Sequence, residues 1–518
     1  MTTTDEAAPT SGSAGTPAPT RDPLLLTAVV AAIVLIGIAF RFVIKSDLWL
    51  DEALAVNIAH LPVKEIPHWL RHDGAPPLYY LMLHYWMKAF GTSDLAVRSM
   101  SGIFGVAALP LAWLCGKRTG GRATAWIAVV VLAANPYAII YSTSVRMYSM
   151  EVFLVFAGIL AVRRAFERPS LPRVALLTVL VAVLVYTQYW GFYVSAALAL
   201  FLLVTIRRSP EHRDAAVRMV IGIAVGVATF APWIPTFLYQ AKHTGTPWGK
   251  PLLPPTPIGL TFQDFSGGAQ HEGWIMLIVF IVLVFLGTFG MAVNERHIDV
   301  DLHAQPTIRW EAAVGAAALV IGTSAAFVSR SAFQSRYASI VFPFFVLVVA
   351  HGISCFADRR WRVGVVALVV ALGFVGGVRN VESNRTTAAT VATILRRAAK
   401  PGDVVLYCPD QLGPAVHRLA PPGLDEITYP KLRRPAFVDW VNYKAVLRRH
   451  KPAVVAQQVL ARAGSHTIWY VSAPGYLTHL GICDALSADL AKSRTMRVRY
   501  VAPFTSFEKP GLQEFPAR

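Results

Sequence analysis

Charge is scarce in this sequence. Only 15% of its 518 residues are Asp, Glu, Lys or Arg, whereas 55% are hydrophobic and the mean hydropathy is +0.48. A water-soluble protein of this length needs far more polar surface than that. Acids are the scarcer sign, 30 against 48 Lys and Arg, which leaves a net charge of +18. Cysteine is scarce as well, four in all, and no C-x-x-C or His/Cys cluster marks a zinc site. The sequence has no G-x-x-x-x-G-K-[ST] and no credible dinucleotide fingerprint, which argues against an ATP-driven pump. No nucleic-acid partner is expected. What the chain has in quantity is long apolar runs, and these make it an integral, multi-pass membrane protein.

Residues 1–22, "MTTTDEAAPTSGSAGTPAPTRD", carry no hydrophobic periodicity and no signal-peptide pattern, and read as a disordered cytoplasmic tail. Runs able to span a bilayer at about 20 residues each follow. They lie near Leu24 to Ile44, Ser101 to Gly116, Thr124 to Ile140, Glu151 to Val162, Val174 to Tyr189 and Trp190 to Ile206. Others lie near Met219 to Leu238, Trp274 to Val293, Glu311 to Val328, Ser339 to Phe356 and Val363 to Gly377. The basic clusters "GKRTGGR", "VRRAFERPSLPR", "IRRSPEHRDAAVR" and "ADRRWR" fall in every second loop. By the positive-inside rule the N-terminus is then cytoplasmic and the C-terminus lies outside the plasma membrane. Ala75 to Gly91 is apolar and aromatic but holds His84 and Lys88. Counting it as a crossing would put "GKRTGGR" outside, so it reads as a juxtamembrane or re-entrant helix in a large first external loop, 45–100.

The expected organisation is an α-helical membrane domain, 23–378, followed by an extracytoplasmic α/β domain, 379–518. In the latter, helix-like "TAATVATILRRAAK", "DWVNYKAVLRRH" and "HLGICDALSADLAK" alternate with strand-like "GDVVLYC", "HTIWYVSA" and "RVRYVAP", which suggests a largely parallel sheet. Its basic surface suits anionic membrane lipids or an envelope polymer. Cys115 and Cys355 read as small core residues, while Cys408 and Cys483 share the external domain, where oxidation is permitted, and are candidates for a disulfide.

Chemistry is then expected in the external loops. The first holds Asp47, Asp51, Glu52, Asp73, Lys88 and Arg98; the second carries "YSTSVRMYSME" with Arg146, Tyr148 and Glu151; later ones hold "QYW" with Tyr189 and "SRSAFQSRYAS" with Arg336 and Tyr337. Taken in order, "LWLDEA", "DGAPPLYYLMLHYWMKAFG", "RSMSGIFGVAALPLAWLCGKRTGG", "SVRMYSM" and "SRYASIVFPFF" resemble the GT-C glycosyltransferases of the protein O-mannosyltransferase and aminoarabinose-transferase type. The resemblance implies transfer of a sugar from a polyprenyl-phosphate carrier on the outer face. It implies that Asp51, with Glu52 beside it, is the essential first-loop carboxylate, and that Glu151 takes the place of a second acid. The family's Asp-x-His-Pro-Pro is here Asp73-Gly74-Ala75-Pro76-Pro77, so any role of that His does not transfer.

The chemistry accounts for these residue types. A hydroxyl attacks an anomeric carbon while a lipid phosphate leaves, so the attacking oxygen needs a base and the departing phosphate needs cations. Asp51 is the candidate base, with Glu52 in support. Arg146, Arg336 and Lys88 are candidates for the phosphate, Arg offering bidentate contact. Asp73, Tyr79, Tyr148, Glu151, Tyr189 and Tyr337 are candidates for substrate binding. No cofactor is implied, and a divalent metal between Asp51 and Glu151 stays open, since hard cations want more oxygens than these two supply.

Blander readings compete. Asp51 and Glu52 could be first-turn acids of the helix "EALAVNIAHL", worth about 1 kcal/mol. Trp49 and Leu50 hold them at membrane depth, however, where an ionised side chain costs about 2.5 to 3.5 kcal/mol. Arg146 and Arg336 could snorkel to headgroups. The sugar is expected to be mannose or a pentose such as arabinose, and the acceptor a glycan, lipid or protein. The rival classes are a lipid or polysaccharide transporter, which should show deep ionisable residues and an internal repeat, and a non-catalytic cell-envelope assembly protein.

Overall fold

A computed structural model describes residues 23–503 and 506–517; the tail expected at 1–22 lies outside them. The chain enters through α1 (Pro23–Phe40) and then lays three short helices across one end of the bundle, α2 (Leu50–His60), α3 (Ile66–Asp73) and α4 (Leu78–Phe90). At 13 residues α4 is about 20 Å long, too short to cross, and it packs on α2 instead. α5 (Asp94–Ala134) runs 41 residues but contains two antiparallel passes. Gly120 and Gly121 leave helical geometry, Gly121 at φ 79° where an L side chain is strained. The chain doubles back there, so that Gly116 lies against Ala125.

α6 (Pro136–Ser142) prolongs the second pass beyond a break at Asn135 and Pro136. Pro136 has no N–H for the carbonyl four residues earlier. Arg41 replaces the missing donors, bonding Leu132 O at 2.7 Å and Ala133 O at 2.9 Å. The bundle continues with α7 (Tyr148–Glu167), α8 (Leu171–Thr187), α9 (Gly191–Arg208) and α10 (Arg213–Ala228), the last extended by α11 (Ile234–His243). After α12 (Pro255–Phe265) come α13 (His271–Phe289), an antiparallel hairpin of β1 (Gly290–Ala292) and β2 (Ile298–Val300), and α14 (Arg309–Val328). A 3-10 turn, Ser335–Val341, leads into α15 (Phe342–Ser354), and α16 (Arg359–Glu382) completes the bundle.

Seven of these stretches are long and apolar enough to cross a membrane, Asp94–Ala134 contributing two passes, and Leu24–Phe40 and Leu171–Thr187 are shorter apolar helices. With α7, the described residues make eleven helical passes along the bundle. Small residues let the helices close up, as expected without water to drive association. Gly287 and Gly352 face the backbones of α15 and α13, at Val348 O and Leu283 O respectively.

The C-terminal domain comprises α17 (Ala388–Ala398), β3 (Val404–Cys408), α18 (Gly413–His417), β4 (Asp425–Thr428), α19 (Tyr443–Arg449) and α20 (Pro452–Ala463). Then follow β5 (Ile468–Ser472), α21 (Ile482–Ala491), β6 (Arg497–Tyr500) and β7 (Gly511–Phe515). The sheet order is β4-β3-β5-β7-β6. β3 pairs parallel with β4 and β5, whereas β7 pairs antiparallel with β5 and β6. The sheet is therefore half parallel rather than largely so, because β6 and β7 follow one another without the crossover helix that a parallel pair requires. Every residue of the β-rich run Val404–Cys408 is buried, as a strand covered on both faces should be. Cys408 and Cys483 are disulfide-bonded, with Cα atoms 5.6 Å apart.

The domain rests on α2, α3 and α11. Trp69 stacks on Phe437 at 4.0 Å, His72 Nδ1 meets Asp439 at 2.9 Å, and Asn57 donates to Ala436 O at 2.7 Å. Underneath lies a buried ionic node. Glu52, with no exposed surface, accepts from Arg98 Nη2 at 2.7 Å, Arg385 Nη1 at 3.2 Å and Val145 N at 3.1 Å. Arg98 also donates to Ser46 O at 2.7 Å, and Arg385 to Thr143 Oγ1 at 2.9 Å and Asn380 Oδ1 at 3.0 Å. One carboxylate thus fastens α2, α5, the α6–α7 loop and the linker into the domain.

Glu52→Ala leaves two buried guanidiniums without their counter-ion and should destabilise the protein by about 3–5 kcal/mol, read as a large fall in the melting temperature of the purified full chain. Asp51→Asn should change it little. Cys408→Ser should remove about 3–4 kcal/mol, since the bridge closes a loop of 75 residues. A melt unchanged by either reductant or Cys408→Ser would contradict this.

Candidate functional site

α2 starts without a side-chain cap, Trp49 being extended at φ −85° and ψ 174°, so its first-turn N–H groups favour acids. Two adjacent acids on a helix point about 100° apart, and here they meet opposite surroundings. Glu52 turns inward to the ionic node. Asp51 turns toward a cavity with 22% of its side chain exposed, and Arg336 Nη2 lies 3.3 Å from its Oδ2. Arg336 comes from the 3-10 turn before α15, its guanidinium carbon 5.7 Å from the Trp49 ring and 5.8 Å from that of Tyr337.

The α6–α7 loop delivers the second cation. Arg146 Nη1 donates to Tyr80 Oη at 3.3 Å, and Tyr80 donates to Asp73 Oδ2 at 2.9 Å. Burial raises the Asp73 carboxyl above its ordinary range, the Arg146 charge and the Tyr80 hydroxyl opposing and Asp51 adding to the rise. Tyr148, at the start of α7, stands within electrostatic reach of Arg146, Arg336 and Asp51. Three buried donors of this group, Arg146 Nε, Arg336 Nε and Tyr148 Oη, have no hydrogen-bond partner among the described residues. Folded proteins satisfy nearly all such atoms. Two fixed positive charges and a phenol, each with a hydrogen to spare, stand beside one carboxylate, an arrangement that can bind an anion.

The other sequence-derived candidates fall around this centre to different degrees. Glu151, one turn along α7, is fully buried and accepts from Ser339 Oγ, its Oε1 unpartnered among the described residues. Tyr79 Oη lies 3.2 Å from Ser101 Oγ, which donates to Arg146 O. Tyr189 donates to Gln240, whose amide holds Leu70 O at 2.7 Å, so it braces the wall without joining the charged group. Lys88 is not brought in: it is exposed on α4, its ammonium 5.6 Å from the Tyr85 ring. No group of three or more His, Cys, Asp or Glu among the described residues could hold a metal ion. Asp51 faces Arg336 and Glu151 faces Ser339.

Several residues of the site carried no sequence signal strong enough to single them out. Asp264 on α12 lies beside Ser335 and Arg336, and burial raises its carboxyl; it was visible only as one acid in a long loop. Gln411, Trp440, Tyr476 and Glu508 of the C-terminal domain line a cavity of about 380 Å³ whose other side is Trp49, Asp51 and Arg336. Their partners lie hundreds of residues away, beyond the reach of any local pattern.

Residues 74–235 match the family model described as dolichyl-phosphate-mannose-protein mannosyltransferase. No curated protein sequence matches the chain. ArnT from Cupriavidus metallidurans in the apo state superposes with a TM-score of 0.59 at 11% identity, covering 95% of this chain and 97% of that one. The same protein bound to undecaprenyl phosphate gives 0.55 at 12% identity, with 95% and 97% covered. The oligosaccharyltransferase of Archaeoglobus fulgidus tethered to an acceptor peptide gives 0.52 at 11% identity, covering 94% of this chain and 74% of that one. From first span to last strand, the chain has the fold of the GT-C glycosyltransferases.

Proposed function

We propose that the protein transfers a sugar from a polyprenyl-phosphate donor to an acceptor on the extracytoplasmic side of the plasma membrane, with Asp51 as general base. The observation that carries this reading is the set of three buried, unpartnered donors, Arg146 Nε, Arg336 Nε and Tyr148 Oη, gathered about one accessible carboxylate. A lipid phosphate supplies the acceptors they lack. The fold, the family model named for a dolichyl-phosphate-mannose donor and the undecaprenyl phosphate bound to ArnT support the same donor class. The basic loops "GKRTGGR" and "ADRRWR" at the bundle end opposite the domain support the orientation.

In the proposed reaction the donor slides in from the lipid and its phosphate takes the free hydrogens of Arg146, Arg336 and Tyr148. An acceptor hydroxyl gives its proton to Asp51 as its oxygen bonds to the anomeric carbon. The carbon–phosphate oxygen bond breaks, and the polyprenyl phosphate leaves with the bonding electrons. Attack opposite the leaving group inverts the anomeric centre. The charge gained by the phosphate meets cations already fixed in position, so little reorganisation accompanies the step. Asp73 and Tyr80 hold Arg146, and Glu52 fixes the start of α2 so that Asp51 is aimed. The sugar is mannose or a pentose such as arabinose.

Asp51→Asn should lower transfer from a radiolabelled polyprenyl-phosphate sugar by about 10²–10⁴-fold while undecaprenyl phosphate still binds; an active variant would refute the base. Arg146→Ala and Arg336→Ala should each weaken undecaprenyl phosphate binding about ten- to a hundred-fold, the loss of one charge-assisted hydrogen bond of about 1.5–3 kcal/mol.

A further inference from the structure

The cavity over Asp51 is shared between the bundle and the domain, and its roof contains two buried polar groups that the proposed chemistry does not use. Gln411 is 1% exposed and its amide nitrogen donates to Tyr443 Oη at 3.1 Å. Tyr443 gives its own proton to Asp410, so it can only accept from Gln411. The amide is thereby oriented, and its Oε1 has no partner among the described residues. Glu508 is 2% exposed, and neither of its carboxyl oxygens completes a hydrogen bond among the described residues, although Thr386 and the Leu50 backbone lie beside it. Burial pushes the Glu508 carboxyl up to about 8. At neutral pH it keeps its proton and can donate as well as accept.

Both groups line the cavity, together with Trp248, Trp440 and Tyr476. Apart from Lys509, Asp51 and Arg336, the lining carries no charge at neutral pH. Buried polar groups are costly to leave unsatisfied, so an occupant with hydroxyls is favoured over an apolar one. Hydrogen-bonding groups and aromatic side chains in one lining match a polyhydroxylated ring, which presents hydroxyls at its edge and C–H groups on its faces. An extended peptide acceptor would instead use a free strand edge, and neither edge strand of the domain sheet, β4 or β6, contributes to the lining.

We infer that this cavity is the acceptor subsite and that the acceptor is a saccharide, its hydroxyls bound by Gln411 and Glu508 and its ring laid against Trp440 and Tyr476. The inference rests on the reading of Asp51 as the base that receives the acceptor proton. The C-terminal domain then contributes half of the active site.

The test is saturation-transfer NMR on the full-length protein in nanodiscs, with methyl dimannoside and methyl diarabinofuranoside as probes and a Thr-rich octapeptide as counter-probe. One of the glycosides should receive saturation at its ring protons and the peptide none. Gln411→Ala, Glu508→Ala and Trp440→Ala should each weaken glycoside binding at least ten-fold while undecaprenyl phosphate binding is unchanged, which a merely misfolded domain would not give. Trp440 is only half-buried, so its variant is least able to disturb folding. Asp51→Asn should still bind the glycoside; if that variant proved active, the base assignment would fall and the acceptor subsite would stand. Saturation of the peptide in place of both glycosides, or glycoside binding indifferent to all three substitutions, would overturn the inference.

Discussion

The buried carboxylate of Glu52, held between Arg98 and Arg385, is the constraint on which the rest depends. Taking three charges out of water costs several kcal/mol per ion, and attraction offsets that only while every partner keeps its geometry. Here the partners come from α2, α5, the α6–α7 loop and the linker that begins the C-terminal domain. A shift of any one would strand a charge, so all four are fixed together. The preceding residue of the helix, Asp51, inherits that position. Two adjacent acids thus divide the work: one is consumed by the architecture and the other is left facing the cavity.

What collects around Asp51 follows from the same framework. The loop that bonds Glu52 through Val145 N carries Arg146 in the following position. The turn before α15 supplies Arg336, and the linker anchored by Arg385 leads into the domain that roofs the cavity. Cations held in advance, with hydrogens to spare, suit a reaction in which a phosphate gains charge as it leaves. In the proposed reaction the fold contributes chiefly by positioning, because a phosphate needs no protein acid to depart.

The apolar helices of the bundle were legible from apolar length, and the short helix at Leu78–Phe90 from the Lys and His inside its apolar run. In the domain the Val404–Cys408 and Ile468–Ser472 strands stood out by their β-branched and aromatic content. β7 at Gly511–Phe515 did not, since its "GLQEF" has too few such residues, and its antiparallel insertion changed the sheet from the expected pattern. At the site, Asp51, Arg146 and Arg336 were legible because charges at membrane depth are conspicuous. The different fates of Asp51 and Glu52 were not, for these depend on Arg385, 333 residues away. Lys88 was a reasonable cation by position, but the helix turns it outward over Tyr85. Gln411 and Glu508 are ordinary loop residues until the domain folds over the bundle.

Asp51, Arg146, Arg336 and Tyr148 are proposed to form a site for a sugar-bearing lipid phosphate. Turnover of radiolabelled polyprenyl-phosphate mannose and polyprenyl-phosphate arabinose by the purified full chain tests it most directly. One of the two should yield a glycosylated acceptor and free polyprenyl phosphate in equal amounts. Carriage of either lipid across a bilayer with its sugar still attached, and no product, would contradict it.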